Sequence, residues 1–377
     1  MRIAIISLPF RANVGQHLQA YATQCVVQNM GHEVTQIDHV KYLRINPWRF
    51  PLAIIKRTLK RLAGKSRGPI FYEKSFNSAL RELTSKRFAA TQNFFSDRRV
   101  IDSFDEIAAS DYDGYIVGSD QVWRPEYFAW QFQTDFANAF LQFTQGWIVK
   151  RVAYAASLGF DDWRIDEDTT RRCHELVQAF DAVSVREESA VALCEQHLGV
   201  KPIHVLDPTM LLSAEQYSEL ADDLPRLEKP ALMHYVLDAS PAKEKLAMQL
   251  SQDLGLTPYR VVSRVDDETA PLEERLMPPI REWLRGYRDA DFVITDSFHG
   301  TVFAIIFNKP FITIGNVNRG MTRFHSLLSL FGLENRLVDD HCDIDIATLG
   351  DIDWEKVNER WRNLKKFSLD FLTSALA

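Results

Sequence analysis

A chain of 377 residues with 46% hydrophobic and 25% charged side chains has the length of two ordinary domains and the balance of a globular protein, with no stretch approaching a membrane span. Its net charge of −7 argues against a general nucleic-acid binder. Four cysteines, Cys25, Cys173, Cys194 and Cys342, lie far apart without a C-x-x-C pair; that argues against a zinc knuckle or disulfide framework and fits a reducing cytoplasm.

The predicted elements begin with a strand over Arg2–Ser7 that runs into Pro9 without a small-residue cleavage site, so it reads as a first strand and not as a signal peptide. A helix follows over Gln16–Met30, closed by Gly31, and then a strand over Val34–Ile37. This is a β–α–β opening without G-x-G-x-x-G. Residues 40–110 read as a basic helical insertion. Strands are then expected over Tyr112–Val117, Arg151–Ala155, Ala182–Val185 and Pro202–Leu206, with a helix near Thr169–Phe180. A second set follows: strands over Ala231–Leu237, Tyr259–Val262, Asp291–Thr295 and Phe311–Ile314, helices over Ala242–Leu254 and Pro279–Asp289, and an amphipathic helix over Trp354–Leu372. Two serial α/β halves with a hinge near 207–213 predict two Rossmann-like domains facing across a cleft, divided as 1–210 and 211–377.

Charge is unevenly spread. No acidic residue falls between Asp38 and Glu73, while Lys41, Arg44, Arg49, Lys56, Arg57, Lys60, Arg61, Lys65 and Arg67 all do. In the middle of that segment, Pro51 to Leu62, apolar residues recur at helical spacing beside the cations. Such a pattern over 41–67 can lie on an anionic membrane surface, or it can be a solvated helix.

Polar clusters follow several predicted strands: Asn13-Val14-Gly15-Gln16, Gly118-Ser119-Asp120-Gln121, Ser184-Val185-Arg186-Glu187, Asp296-Ser297-Phe298-His299-Gly300, and Asn316 through Arg323. Loops at the carboxyl ends of parallel strands are where open α/β sheets bind ligands, so these clusters are expected to converge. His299 is the natural general acid. Gly300 would let the backbone approach a ligand, and the helix start beside Thr301 offers N–H groups to an anion. Arg186, alone in sign at the end of an apolar strand, could grip a carboxylate or phosphate, or pair with Glu187 or Glu188. Arg319 and Arg323 could close on a phosphate or pair with the acidic surface. Asp120 and Asp296 read as helix caps rather than acid–base groups. Trp123 could offer a flat face to a sugar beside Gln121 and Asn13, against a strong alternative of core packing. No H-E-x-x-H or paired metal carboxylates appear.

Taken in series, Asn13 to Ala22, Gly118 to Trp123, Ser184 to Glu187, Asp207-Pro208-Thr209, Thr295 to Thr301 and Asn308 to Phe311 resemble the polysaccharide pyruvyl transferase family over nearly the whole chain. The resemblance implies a fold like that of B-type glycosyltransferases. It also implies transfer of the enolpyruvyl unit of phosphoenolpyruvate to a sugar hydroxyl pair as a cyclic ketal, during exopolysaccharide or capsule assembly. His299 would then be the general acid and Arg186 a donor-binding arginine, with Ser297, Gly300, Thr301, Arg319 and Arg323 on the donor side. Asn13, Gln16, Ser119, Asp120, Gln121 and Trp123 would lie on the acceptor side. No cofactor or metal is implied beyond phosphoenolpyruvate as co-substrate, and the acceptor would be a glycan or lipid-linked oligosaccharide at the inner face of the membrane. One departure stands out: an arginine often found two positions before the family's histidine is Ser297 here. Arg319 or Arg323 would have to replace it. Two alternatives keep the same architecture: a glycosyltransferase using a sugar nucleotide, and a non-catalytic scaffold in glycan assembly.

Overall fold

A computed structural model describes residues 1–9, 14–39, 48–64, 69–71, 74–75, 78, 94–95, 97–261, 279–315, 320–339 and 346–377. The apolar β-branched runs read from the sequence form two parallel sheets. The first contains β1 (Arg2–Ile6), β2 (Glu33–Asp38), β3 (Arg98–Val100), β4 (Gly114–Val117), β5 (Lys150–Ala156), β6 (Ala182–Val185) and β7 (Ile203–His204). Its order is β3-β2-β1-β4-β5-β6-β7, parallel throughout. The second contains β8 (Ala231–Tyr235), β9 (Thr257–Arg260), β10 (Phe292–Thr295), β11 (Phe311–Ile314) and β12 (Leu337–Val338), in the order β12-β11-β10-β8-β9, also parallel.

Parallel strands are covered on both faces, so they read as continuous apolar runs. In β1, Ile3 and Ile5 face one core while Ala4 and Ile6 face another. In β10, Val293 joins the same core as Ile3, and Phe292 and Ile294 pack on the far side. That shared core runs between the sheets without interruption, from Leu18 through Met210 and Leu211 to Trp283 and Phe303. The strand order reverses between β1 and β4 and again between β8 and β10, which places a crevice beyond the carboxyl ends of each pair.

Five helices matter below. Helix α1 (Val14–Asn29) starts two residues before its predicted beginning and is buried over most of its length. Helix α2 (Phe50–Leu62) lies in the crossover from β2 to β3. Helix α3 (Phe298–Ile306) is wholly buried. Helix α4 (Met321–Phe331) follows β11, and α5 (Trp354–Leu376) ends the chain. The predicted insertion over 40–110 thus holds one amphipathic helix and also a sheet strand, β3; much of the rest of it falls outside the described residues.

Helix α5 departs from the expected division at residue 210. Its Ser368 hydroxyl accepts a hydrogen bond from the Leu206 N–H at 3.0 Å, its Phe371 ring packs 6.2 Å from that of Tyr154, and its Trp361 indole donates to the Met210 carbonyl at 2.8 Å. The chain end is therefore fastened onto the first half. Periodicity shows which face of a helix is apolar but not which surface it will cover. Among the described residues no helix is long and apolar enough to cross a membrane.

Candidate active site

At the end of β6, Arg186 passes below the surface and meets three carboxylates. Its Nε lies 3.0 Å from Glu187 Oε1, its Nη1 lies 2.9 Å from Asp207 Oδ2, and its Nη2 lies 3.5 Å from Asp120 Oδ1. Burial works against the guanidinium charge, but the three acids outweigh it and hold Arg186 firmly protonated. The arginine read as alone in sign is therefore the most heavily countered cation of the site, and Glu187 is only one of its partners.

Asp207 connects this arginine to the histidine. Its Oδ1 accepts from the Thr209 N–H at 2.9 Å and the Thr209 hydroxyl at 2.6 Å, and its Oδ2 lies 3.5 Å from His299 Nε2. Burial alone would raise this carboxyl; the charges of His299 and Arg186, with the hydrogen bonds it accepts, hold it well below the usual carboxylate range. His299 is the second residue of α3, and a Cβ on Gly15, in the first turn of α1, would overlap its imidazole. The first and second halves of the chain thus meet at this ring.

Phe298 forms one wall. The Arg186 guanidinium carbon sits 4.2 Å from its ring centroid and that of Arg323 sits 5.7 Å away. Arg323, in the first turn of α4, is pushed down to about 10 by burial and by the like charge of Arg186. Gly320, at φ +91°, brings α4 against the Gly159 carbonyl, where any Cβ would collide. Of the buried polar atoms in this cluster, Glu187 Oε2 makes no hydrogen bond, while Arg186 Nη2 and His299 Nε2 make none beyond the ion pairs at 3.5 Å to Asp120 and Asp207.

The structure brings Arg186, Asp120, His299 and Arg323 together. Asn13 and Arg319 fall outside the described residues. Several other expected contacts are corrected. Trp123 is fully buried, stacked 4.7 Å from Phe140, and donates its indole N–H to the Ala139 carbonyl at 3.1 Å, so it shows no face to a sugar. Gly300 approaches scaffold rather than ligand: a Cβ there would strike Thr295 Oγ1. Ser297 caps α3 by accepting from the Gly300 N–H at 3.3 Å. Thr301 shares a 2.7 Å hydrogen bond with Thr313 and donates to the Ser297 carbonyl.

Of the residues expected on the acceptor side, Gln16 donates to the Pro9 carbonyl and Gln121 accepts from Arg124 at 2.9 Å. Ser119 donates to the Ala155 carbonyl at 2.9 Å, beside Asp207. The two aspartates read as caps have other work. Asp120, at φ +56°, faces Arg186. Asp296 accepts from the Leu237 and Asp238 N–H groups and pairs with Lys243 at 2.7 Å, fastening the loop after β8. Asp207, Glu187 and Phe298 were not among the expected site residues, although all three stand in the matching segments and Glu187 was read as a possible partner of Arg186. Nothing local ties an aspartate to an arginine 21 positions earlier.

Among the described residues no group of three or more His, Cys, Asp or Glu could hold a metal ion. A family model described as polysaccharide pyruvyl transferase matches residues 13–318. No curated protein matches the chain. Among solved structures, a UDP-GlcNAc 2-epimerase from Methanocaldococcus jannaschii is similar at 11% identity and a TM-score of 0.53, over 96% of this chain and 91% of that one. Arabidopsis thaliana UGT89C1, complexed with UDP-L-rhamnose, is similar at 9% identity and a TM-score of 0.48, over 99% and 98%. At 11% identity the likeness to the epimerase bears on the fold alone, and the chain's own fold is an α/β architecture of two parallel sheets.

Proposed function

Because the chain belongs to the polysaccharide pyruvyl transferase family, a family of transferases acting on polysaccharide, we propose that it transfers the enolpyruvyl unit of phosphoenolpyruvate to two hydroxyls of a glycan. The observation that carries this reading is the His299 imidazole held beside an ionised Asp207, with Arg186 and Arg323 at the same ring of Phe298.

The chemistry needs a proton at the methylene carbon of the enol, which His299 supplies as general acid. The neighbouring carbon becomes electrophilic and a sugar hydroxyl adds to it, returning a proton to the histidine. Phosphate then leaves with its bonding electrons, and a second hydroxyl closes the ketal as its proton passes to phosphate. One hydroxyl proton ends in the new methyl group and the other on phosphate, so the balance closes. Asp207, 3.5 Å from Nε2, orients the imidazole.

For the donor clamp, Arg323 is the better candidate, since Arg186 is already countered by three acids. Thermal-shift titration with phosphoenolpyruvate and, separately, with sugar nucleotides tests the reading. Stabilisation by phosphoenolpyruvate that is lost in Arg323→Ala supports it. Stabilisation by sugar nucleotides alone overturns it in favour of glycosyl transfer. Activity unchanged in His299→Ala overturns the role of the histidine.

A further inference from the structure

An amphipathic helix on a globular protein ordinarily turns its apolar stripe inward. Helix α2 does the reverse. None of its residues is buried, and Leu52, Ile55, Leu59 and Leu62 are 68%, 55%, 60% and 80% exposed. These four recur at spacings of three and four and so share one face. The positions turned toward the protein are the half-buried Ala53, Ile54, Arg57 and Thr58. Just before the helix, Trp48 is 88% exposed. Six of the thirteen exposed large apolar side chains among the described residues fall within the fifteen positions from Trp48 to Leu62.

The charge around this stripe names its occupant. Lys56 and Lys60 flank it on one side, Arg61 lies beyond them, and all three are exposed. No acidic residue occurs anywhere between Asp38 and Glu73. A protein partner of ordinary surface would present both signs; an apolar stripe bordered on one side by cations, with no acid near it in sequence, matches a surface that is apolar below and anionic above.

We propose that α2 lies in the interface of an anionic lipid bilayer, with Leu52, Ile55, Leu59 and Leu62 among the acyl chains and Lys56 and Lys60 at the phosphates. The crossover carrying α2 leaves β2 at its carboxyl end, the edge of the sheet at which Arg186 and Asp120 also lie. The docking proposed for α2 does not rest on the transferase reading.

The test is sedimentation of the full chain with vesicles of mixed phosphatidylcholine and phosphatidylglycerol, beside vesicles of phosphatidylcholine alone. The expected result is binding to the mixed vesicles, weak binding to the neutral ones, and release by salt. An Ile55→Ser, Leu59→Ser double variant should partition at least about tenfold less, and Lys56→Gln with Lys60→Gln should remove the preference for anionic lipid. Both variants should keep the parent's melting temperature, since neither side chain pair is buried. Equal sedimentation of parent and double variant, or none for the parent, overturns the proposal. So does a parent that is dimeric by light scattering while the double variant is monomeric, because the stripe would then be covered by a second copy. Failure of phosphoenolpyruvate to stabilise the chain would count against the donor and leave this result untouched.

Discussion

Gly15 and His299 touch across the two halves of the chain, the imidazole occupying the space in which any Cβ at position 15 would stand. A helix of the first half and a helix of the second thus meet at one ring, and the absence of a side chain at position 15 leaves the room that ring occupies.

Gly15→Ala should accordingly push the imidazole away from Asp207. The expected outcome is a loss of transfer activity of roughly 10²-fold with overpacking that costs about 1–3 kcal/mol in stability. Phosphate release from phosphoenolpyruvate in the presence of acceptor, measured beside a thermal melt, checks both parts. Activity at the parental level would show that the ring need not sit where it does.

Replacing the acid itself should act on the chemistry alone. His299→Gln keeps a polar side chain of similar length, so folding should change little while kcat falls by about 10²–10⁴-fold. Binding of phosphoenolpyruvate, read by thermal shift, should persist.

Arg186 and Arg323 should behave differently although both lie against the Phe298 ring. Arg186→Ala strands Asp120, Glu187 and Asp207 without their common cation, and breaking such a buried pair costs about 3–5 kcal/mol. Arg323→Ala removes a cation that burial and Arg186 already disfavour, so its melting temperature should fall less. Its loss should appear in donor binding. Urea denaturation of the two variants, set beside their phosphoenolpyruvate titrations, separates the effects; an Arg186→Ala chain as stable as the parent would contradict the charge arrangement described above.

Acidification should destabilise the protein in two stages. His234 is buried and its ring is pushed down to about 4, first by burial and then by the charge of Arg260. The unfolded imidazole takes up its proton near pH 6.5, so stability is lost as pH falls from about 6.5 to about 4. Asp207 is held below the ordinary carboxylate range, so its contribution is complete above about pH 4, the unfolded value, and is lost as pH falls on through the folded one. His234→Gln should flatten the upper stage and leave the lower. Asp207→Asn should flatten the lower stage from a much reduced starting stability. Denaturation midpoints measured across this range decide it.

Much of the architecture was legible in the sequence. Runs such as Ile3 to Ile6 and Phe292 to Thr295 are apolar on both faces because their strands are covered on both faces, and that is a property of consecutive residues. The loops that close on the site could be found for the same reason, since each begins where such a run stops. Trp123, in the loop after β4, and Gly300 and Thr301, in the first turn of α3, meet their own scaffold. An indole, a glycine or a hydroxyl past the end of a strand is the same in sequence whether it meets a ligand or that scaffold.

The sequence by itself determined the parallel α/β order, the position of His299 at the end of a buried strand, and the cationic stripe of α2, because each depends on the spacing of near neighbours. Only the tertiary structure decided that Arg186 is countered by acids 66 positions before it and 21 after it, that α5 returns to the first half, and that the apolar face of α2 points outward. Burial and charge pairing are set by whichever side chains the fold brings within a few ångströms, and distance along the chain carries no record of that.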